Sequence, residues 1–165
     1  MKPSVIFIGV GSNLGDRQAQ IQDARGALAA RAGIRGLVSS AVRETDPVSR
    51  IPQGKFLNAV WRAETTLAPE ALMKILLEIE TAFGRVREEK NGPRTLDLDL
   101  LFFGDRILRT PGIEVPHPRL HERLFVLEPL VELAPEWVHP VLQCTVRTLW
   151  EGLRERNTES AKMSG

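Results

Sequence analysis

The sequence predicts an α+β fold in which one β-sheet packs against helices. Apolar runs follow one another in the order strand, helix, strand, strand, helix, strand, and glycine or proline marks the turns between them. The chain has 165 residues, of which 42% are hydrophobic and 26% are charged, as in an ordinary globular domain. The order βαββαβ is that of the ferredoxin-like fold.

The first strand and the first helix are predicted from apolar spacing. Residues 5–10 form a continuous apolar and β-branched run, which is typical of a buried strand. A helix is predicted over residues 16–32 because Ile21 and Leu28 recur at helical spacing, and Gly33 follows it.

The other core elements are separated by loops rich in glycine, proline or charge. They are a strand over residues 37–45, a strand over 57–64, a helix over 69–84 and a strand over 95–103. Residues 104–105 (GD) predict a hairpin that joins the last strand to residues 106–108.

The C-terminal part is predicted to add helices to this core. Residues 117–156 are predicted to be mostly helical, with Pro129, Pro135 and Pro140 dividing them into pieces. Residues 157–165 are small or polar and are predicted to be a disordered tail. We therefore expect a single domain over residues 1–156.

Charge and cysteine content exclude several classes of protein. A formal net charge of +1 predicts no general attraction to nucleic acid or to a membrane surface. The apolar run at residues 5–10 is too short to span a bilayer and passes straight into a turn, which also disfavours a signal peptide. The single cysteine, Cys144, can form no internal disulfide. We expect a cytoplasmic monomer without nucleic-acid or membrane partners.

The most informative pattern is a pair of aspartates in the last core strand. Asp97 and Asp99 are two residues apart, so in a strand they point to the same face, about 7 Å apart. The apolar neighbours are predicted to divide between the faces, with Leu101 and Phe103 on the aspartate side and Leu96, Leu98, Leu100 and Phe102 opposite.

Neighbouring carboxylates repel each other and are costly to desolvate. A divalent cation makes the pair favourable, because carboxylate oxygens suit Mg²⁺ and its charge offsets theirs. The alternative is that arginines such as Arg85, Arg87 or Arg94 neutralise the pair. Arg94 lies just before the strand, and this context favours a metal site.

Phosphate binding, if present, must rely on arginines. The chain has no Walker-type phosphate loop, and Gly9 and Gly11 lack the third glycine of a dinucleotide fingerprint. Guanidinium groups bind phosphate bidentately and stay charged. Candidates are Arg94 and Arg123, together with His117 between two prolines, whereas a solvated surface position suits Arg119 and Arg87 better.

Several segments together resemble one known family, the 6-hydroxymethyl-7,8-dihydropterin pyrophosphokinases of folate biosynthesis. They are residues 11–14 (GSNL), 56–59 (FLNA), 84–87 (GRVR) with 92–99 (GPRTLDLD), and 115–118 (VPHP) leading to 123–125 (RLF). The chain departs from the family pattern at Asp46, Glu88 and Asn91, all in two loops.

The resemblance implies an enzyme that uses ATP and a reduced pterin. Asp97 and Asp99 would bind two Mg²⁺ ions and, with Arg85 and Arg94, would be catalytic. ATP would be contacted by Glu80, Arg87, Leu100, His117 and Arg123. The pterin would be bound by Gly11, Thr45, Val48, Phe56, Asn58 and Phe125, with the two aromatic rings stacking on it.

Two other functions fit the same fold. A nucleotidyl transferase or cyclase can also use paired aspartates on a ferredoxin-like sheet, and it would release pyrophosphate where a pyrophosphokinase releases AMP. An RNA-binding or regulatory module would need exposed aromatic residues on a basic sheet. The acidic pair argues against the RNA-binding alternative.

Overall fold

The computed structural model describes residues 2–13, 16–45, 56–84 and 96–164. The strands are β1 (Ser4–Ser12), β2 (Ile34–Ser39), β3 (Arg43–Thr45), β4 (Phe56–Thr65), β5 (Asp97–Phe103), β6 (Leu108–Thr110) and β7 (Ile113–Val115). The helices are α1 (Arg17–Ala29), α2 (Pro69–Gly84), α3 (Leu124–Leu133) and α4 (Val146–Ser164), and a 3-10 turn covers Leu120–Glu122.

The main sheet has the order β2-β4-β1-β5. The short strand β3 pairs with the first residues of β4, and β2 pairs with its last residues. All of these pairings are antiparallel. Strands β1 and β4 therefore lie in the centre, while β5 lies at one edge of the described sheet. This arrangement confirms the ferredoxin-like α+β fold predicted from the order of the elements.

Both faces of the sheet are covered by helices, which creates two apolar cores. On one face, Ile21 and Leu28 of α1 and Leu76 of α2 pack on the sheet. On the other face, Leu127 and Leu130 of α3 join a core with the opposite side of β1. Among the described residues, no helix is both long and apolar enough to span a lipid bilayer.

The predicted strand over residues 37–45 is divided into β2 and β3. The division falls at Ser40, whose hydroxyl accepts the backbone N–H of Val60 at 2.9 Å. A side-chain oxygen thereby replaces a backbone partner in the ladder, and the strand is interrupted. Strand β2 also begins earlier than predicted, at Ile34.

A bulge in β5 changes which apolar side chains share a face. The register with β1 shifts between Phe7 and Ile8, which pair with Phe102 and Leu100, so Leu101 is the extra residue. Because a bulge inserts one residue, the alternation is reset after it. Phe102 therefore joins Leu101 in the α3 and α4 core, and Phe103 packs in the α1 and α2 core. The predicted faces of Phe102 and Phe103 were wrong.

The prediction that residues 106–108 form a hairpin with β5 was also wrong. Gly104 adopts a φ of 55°, and its N–H bonds to the carbonyl of Val5 at 2.6 Å. This turn ends the edge strand and carries the chain away from it. Strand β6 pairs instead with β7, across a turn in which Gly112 has a φ of 85°.

Two expectations for the C-terminal part differ from the structure. Pro129 lies inside α3, is buried and does not end the helix, although it lacks the N–H that would bond to the carbonyl of Phe125. Helix α4 continues to Ser164, so residues 158–164, predicted as part of a disordered tail, have a helical backbone.

Helix α2 approaches the start of β5 very closely at Gly84. A Cβ atom built on Gly84 would lie 2.6 Å from Cβ of Leu96 and 3.0 Å from its backbone nitrogen. Only glycine leaves room for this approach, which brings the helix end against the strand that carries the aspartates.

Replacement of Gly84 by alanine (G84A) is expected to destabilise the protein by about 1–3 kcal/mol, because the added methyl group overpacks the contact with Leu96. Urea unfolding followed by circular dichroism measures the change. The matched control is G26A in α1, where nothing lies within 4 Å of the new Cβ and alanine is expected to stabilise the helix by about 0.5–1 kcal/mol. Equal effects of G84A and G26A would contradict the proposed tight approach.

Candidate active site

The strand register places glycines between the acidic pair and an asparagine. On β1, Gly11 lies opposite Asp97 on one side and opposite Asn58 of β4 on the other. Gly9 lies opposite Asp99 in the same way. Because residues two apart on a strand share a face, these side chains belong to one surface of the sheet. The glycines leave that surface open between Asp97 and Asn58.

A cavity of about 610 Å³ lies over this surface. Its volume is in the range of cavities that bind small molecules. Many of the site residues predicted from the sequence line this cavity: Gly11, Thr45, Phe56, Asn58, Asp97, Asp99, His117, Arg123 and Phe125. The structure thus gathers in one place residues that are far apart in the sequence.

The cavity lining carries an amide and two aromatic rings. Asn58 is buried, with 7% of its surface exposed, and its Nδ2 donates a hydrogen bond to the hydroxyl of Thr45. A side chain at Gly11 would meet Oδ1 of Asn58 at 3.3 Å, so glycine leaves space for the amide. Phe56 is half-buried and lies beside the same glycine, with Cδ1 3.8 Å from a Cβ built on Gly11. Phe125 is a second half-buried aromatic residue of the cavity lining.

The cavity lining also carries acidic and basic groups. Asp97 is half-buried and Asp99 is exposed. The guanidinium carbon of Arg123 lies 5.7 Å from the centre of the Phe125 ring, which places a cation over an aromatic face. Arg123 directly precedes α3, whose first residues also line the cavity.

His117 is held by backbone contacts on both sides. Its N–H donates to the carbonyl of Leu101 at 2.9 Å, and its Nδ1 accepts the N–H of Arg119 at 3.2 Å. In the neutral ring the proton must then lie on Nε2. The structure therefore leaves Nε2 as a hydrogen-bond donor.

Burial lowers the pKa of His117 below its usual value of 6.5, and the positive charges of Arg123 and Arg119 lower it further. The carboxylates of Asp99 and Glu114 act in the opposite direction and only partly offset these effects. The imidazole is therefore neutral at pH 7 in the ligand-free protein.

A second cavity of about 380 Å³ adjoins the first. Asp99 and His117 line both cavities, whereas Leu100 lines only the second. The β6–β7 hairpin forms its far wall, with Thr110 and Glu114 as polar groups. Together the two cavities extend past the acidic pair in both directions.

Some predicted site residues lie elsewhere. Glu80 does not line either cavity; it is buried in α2, and its Oε2 accepts the backbone N–H of Leu98 at 2.8 Å. The predicted residues Val48, Arg85, Arg87 and Arg94, as well as Asp46, Glu88 and Asn91, lie outside the described residues.

The structure adds cavity residues that the sequence did not identify. Arg119 was assigned to the surface, yet it lines the first cavity and pairs with Glu122 at 3.2 Å. Its place two residues after His117 was the available signal. Thr110 and Glu114 of the second cavity carry no sequence signal, because they enter the site only through the unpredicted β6–β7 hairpin.

No group of three or more acidic, histidine or cysteine side chains that could hold a metal ion occurs among residues 2–13, 16–45, 56–84 and 96–164. The acidic pair alone still fits Mg²⁺, which is commonly bound through one or two carboxylates together with water and substrate phosphates.

Fold and cavity together define a class: ferredoxin-like α+β proteins with a small-molecule site that combines aromatic rings with an acidic pair. The family described as 7,8-dihydro-6-hydroxymethylpterin-pyrophosphokinase (HPPK) matches residues 7–135. The chain belongs to this family, which confirms the resemblance noted in the sequence.

Individual relatives agree with this assignment. The chain is 41% identical over 133 residues to the 2-amino-4-hydroxy-6-hydroxymethyldihydropteridine pyrophosphokinase of Bacillus subtilis (strain 168), covering 81% of this chain and 80% of the relative. It is 43% identical to the protein of the same name from Synechocystis sp., covering 81% and 68%. It also matches the folic acid synthesis protein fol1 of Pneumocystis carinii at 39% identity, covering 88% of this chain and 20% of that protein.

Solved structures support the fold. The HPPK-DHPS of Plasmodium falciparum with pteroate superposes with a TM-score of 0.76 at 16% identity, covering 98% of this chain and 44% of that chain. Another HPPK-DHPS structure, in complex with substrates, gives a TM-score of 0.72 at 16% identity and covers 96% and 45%. The present chain thus spans less than half the length of these proteins.

The imidazole of His117 is expected to titrate below pH 6.5 in the ligand-free protein. The pKa of His117 is lower in the folded protein than its ordinary value of 6.5. Between these two pKa values the unfolded state therefore binds more protons than the folded state. The contribution of His117 to stability is therefore full above pH 6.5 and is lost as the pH falls through the folded pKa. NMR titration of the ring Cε1–H signal, assigned with the H117Q variant, measures the midpoint. A midpoint at or above 6.5 would contradict the burial effect.

Proposed function

We propose that this protein transfers a pyrophosphoryl group from ATP to the hydroxymethyl group of 6-hydroxymethyl-7,8-dihydropterin and releases AMP, as a step of folate biosynthesis. The observation that carries the proposal is a single cavity whose lining combines a buried amide, two aromatic rings and an acidic pair. Family membership and the names of the relatives support the same reaction.

The pterin is proposed to lie against Phe56, Asn58 and Phe125. A pterin is flat and carries several hydrogen-bond donors and acceptors at its edge, so aromatic rings can stack on it while an amide pairs with that edge. The hydrogen bond from Asn58 to Thr45 orients the amide. Gly11 lets the ligand edge approach the strand closely.

The ATP phosphates are proposed to lie beside Asp97 and Asp99. Both carboxylates would hold Mg²⁺, two ions in all, and the phosphates would complete the metal coordination. When bound, the metal would neutralise phosphate charge and draw electron density from the transferred group. Arg123 and the Nε2–H of neutral His117, which line the same cavity, would donate to phosphate oxygens.

The nucleoside part of ATP is proposed to occupy the second cavity. This cavity meets the first at Asp99 and His117, so a triphosphate crossing that junction would bring its β-phosphorus toward the pterin. Leu100 and Met73 offer apolar contact to a base, and Thr110 and Glu114 offer polar contacts. Arg85, Arg87 and Arg94 stay predicted phosphate ligands.

The reaction needs positioning more than a strong base. The hydroxymethyl oxygen of the pterin attacks the β-phosphorus of ATP, the bond from that phosphorus to the α-phosphate oxygen breaks, and AMP leaves with that oxygen. The hydroxyl proton is released. Stacking and the amide of Asn58 would orient the attacking oxygen, and Arg123 would stabilise the charge that moves onto the leaving group. A cytoplasmic location and a monomeric state stay predictions from the sequence.

Replacing either aspartate by asparagine (D97N or D99N) is expected to lower the rate of AMP release at least about 100-fold, because a neutral amide neither binds Mg²⁺ well nor offsets its charge. Chromatography of the nucleotide products from ATP and the reduced pterin measures the rate. Circular dichroism is expected to show an unchanged fold.

The matched control is D105N, which removes an exposed carboxylate from the turn after β5 and should leave turnover unchanged. Wild-type rates in D97N or D99N would remove the metal-binding role of the pair. Release of pyrophosphate in place of AMP by the wild-type protein would instead identify a nucleotidyl transferase.

A further inference from the structure

A buried acid in α2 has no contact with the two cavities. Glu80 is 6% exposed and lies on the helix face that packs against the sheet, next to the buried Ile79. A buried carboxylate is costly unless hydrogen bonds satisfy it, so its place in an apolar core calls for a specific partner.

One such partner is the strand that carries the aspartates. Oε2 of Glu80 accepts the backbone N–H of Leu98 at 2.8 Å, and this hydrogen bond is buried. Leu98 stands between Asp97 and Asp99. A carboxylate accepting from a backbone N–H makes a charge-assisted bond, which is stronger than a neutral one.

The position of β5 in the sheet explains why this bond is needed. Strand β5 pairs with β1 on one side and lies at the edge of the described sheet, so alternate N–H groups point away from β1 and have no ladder partner. Glu80 satisfies one of these groups at the residue between the aspartates. Four residues later in α2, Gly84 packs against Leu96. Helix α2 therefore holds the edge strand at two successive points.

We infer that Glu80 is a positioning residue, which sets the spacing and the common face of Asp97 and Asp99 by holding the amide of Leu98. This inference rests on the proposed function, because it assigns the aspartates to metal and nucleotide. Glu80 acts through the strand and not by contact with ATP.

The test uses two variants that separate the hydrogen bond from the charge. In E80M a linear apolar side chain fills the space but offers no strong acceptor, whereas E80Q keeps a carbonyl acceptor without the charge. E78Q is the matched control, because Glu78 is on the same helix but forms a surface ion pair with Arg31 at 2.6 Å.

Two measurements on each protein are needed. Amide hydrogen exchange of Leu98 in the metal-free and ligand-free protein reports on the strand itself and requires no turnover. Calorimetry with Mn²⁺ and α,β-methylene ATP reports on the acidic pair. The exchange rate of Ile8 in the central strand β1 serves as the internal reference.

In E80M, Leu98 is expected to exchange about 10-fold to 100-fold faster relative to Ile8, and the Mn²⁺-dependent affinity for the analogue is expected to fall by about 10-fold. In E80Q both quantities are expected to change in the same direction by a smaller factor, about threefold, because a neutral acceptor makes a weaker bond. In E78Q neither quantity is expected to change. If E80M does not fold, E80Q decides the question: a small joint change in Leu98 exchange and in affinity supports the inference, and no change in either overturns it.

Three outcomes would overturn the inference. Unchanged exchange of Leu98 in E80M would show that the bond does not hold the strand. Faster exchange with unchanged affinity would show that the bond does not serve the aspartates. If E80Q lost as much affinity and as much Leu98 protection as E80M, the charge of Glu80, and not its hydrogen bond, would be the cause. Failure of the proposed function would look different, because wild-type protein would then not bind the Mn²⁺ complex or release AMP.

Discussion

Two carboxylates that stand side by side on an edge strand are the constraint on which the rest of this structure depends. Asp97 and Asp99 repel each other, and water alone can relieve that repulsion only if both stay exposed. Asp97 is half-buried in the wall of a cavity. The pair is therefore favourable when a dication lies between the carboxylates and the phosphates of a nucleotide.

The sheet places the acidic pair next to the other residues of the cavity. Antiparallel pairing places Gly11 opposite both Asp97 and Asn58, so the distance between the acidic pair and the amide is fixed by strand spacing. Sheet spacing is about 4.8 Å per strand, a scale that suits a small ring system and its hydroxymethyl group. The N-terminal end of α3 then adds Arg123 and Phe125 from above. Each functional group comes from a different element, and the packed core fixes their relative positions.

Much of this arrangement could be predicted from the sequence, for identifiable reasons. The order of elements follows from apolar periodicity, and the common face of Asp97 and Asp99 follows from the two-residue repeat of a strand. The bulge at Leu101 could not be predicted, because it depends on how β5 fits β1 and not on local composition. The contact between Glu80 and Leu98 was likewise hidden, since it joins a helix to an edge strand through a backbone amide. The β6–β7 hairpin, which completes the second cavity, was missed because the turn at Gly104 serves to end β5.

The most direct test is to locate the metal. Crystals grown with Mn²⁺, α,β-methylene ATP and a reduced pterin would show manganese through its anomalous scattering. We expect two peaks within about 2.5 Å of carboxylate oxygens of Asp97 and Asp99, with the phosphates on the same ions and the pterin between Phe56 and Phe125. Guanidinium groups on both aspartates, with manganese and nucleotide bound elsewhere on the protein, would contradict the account.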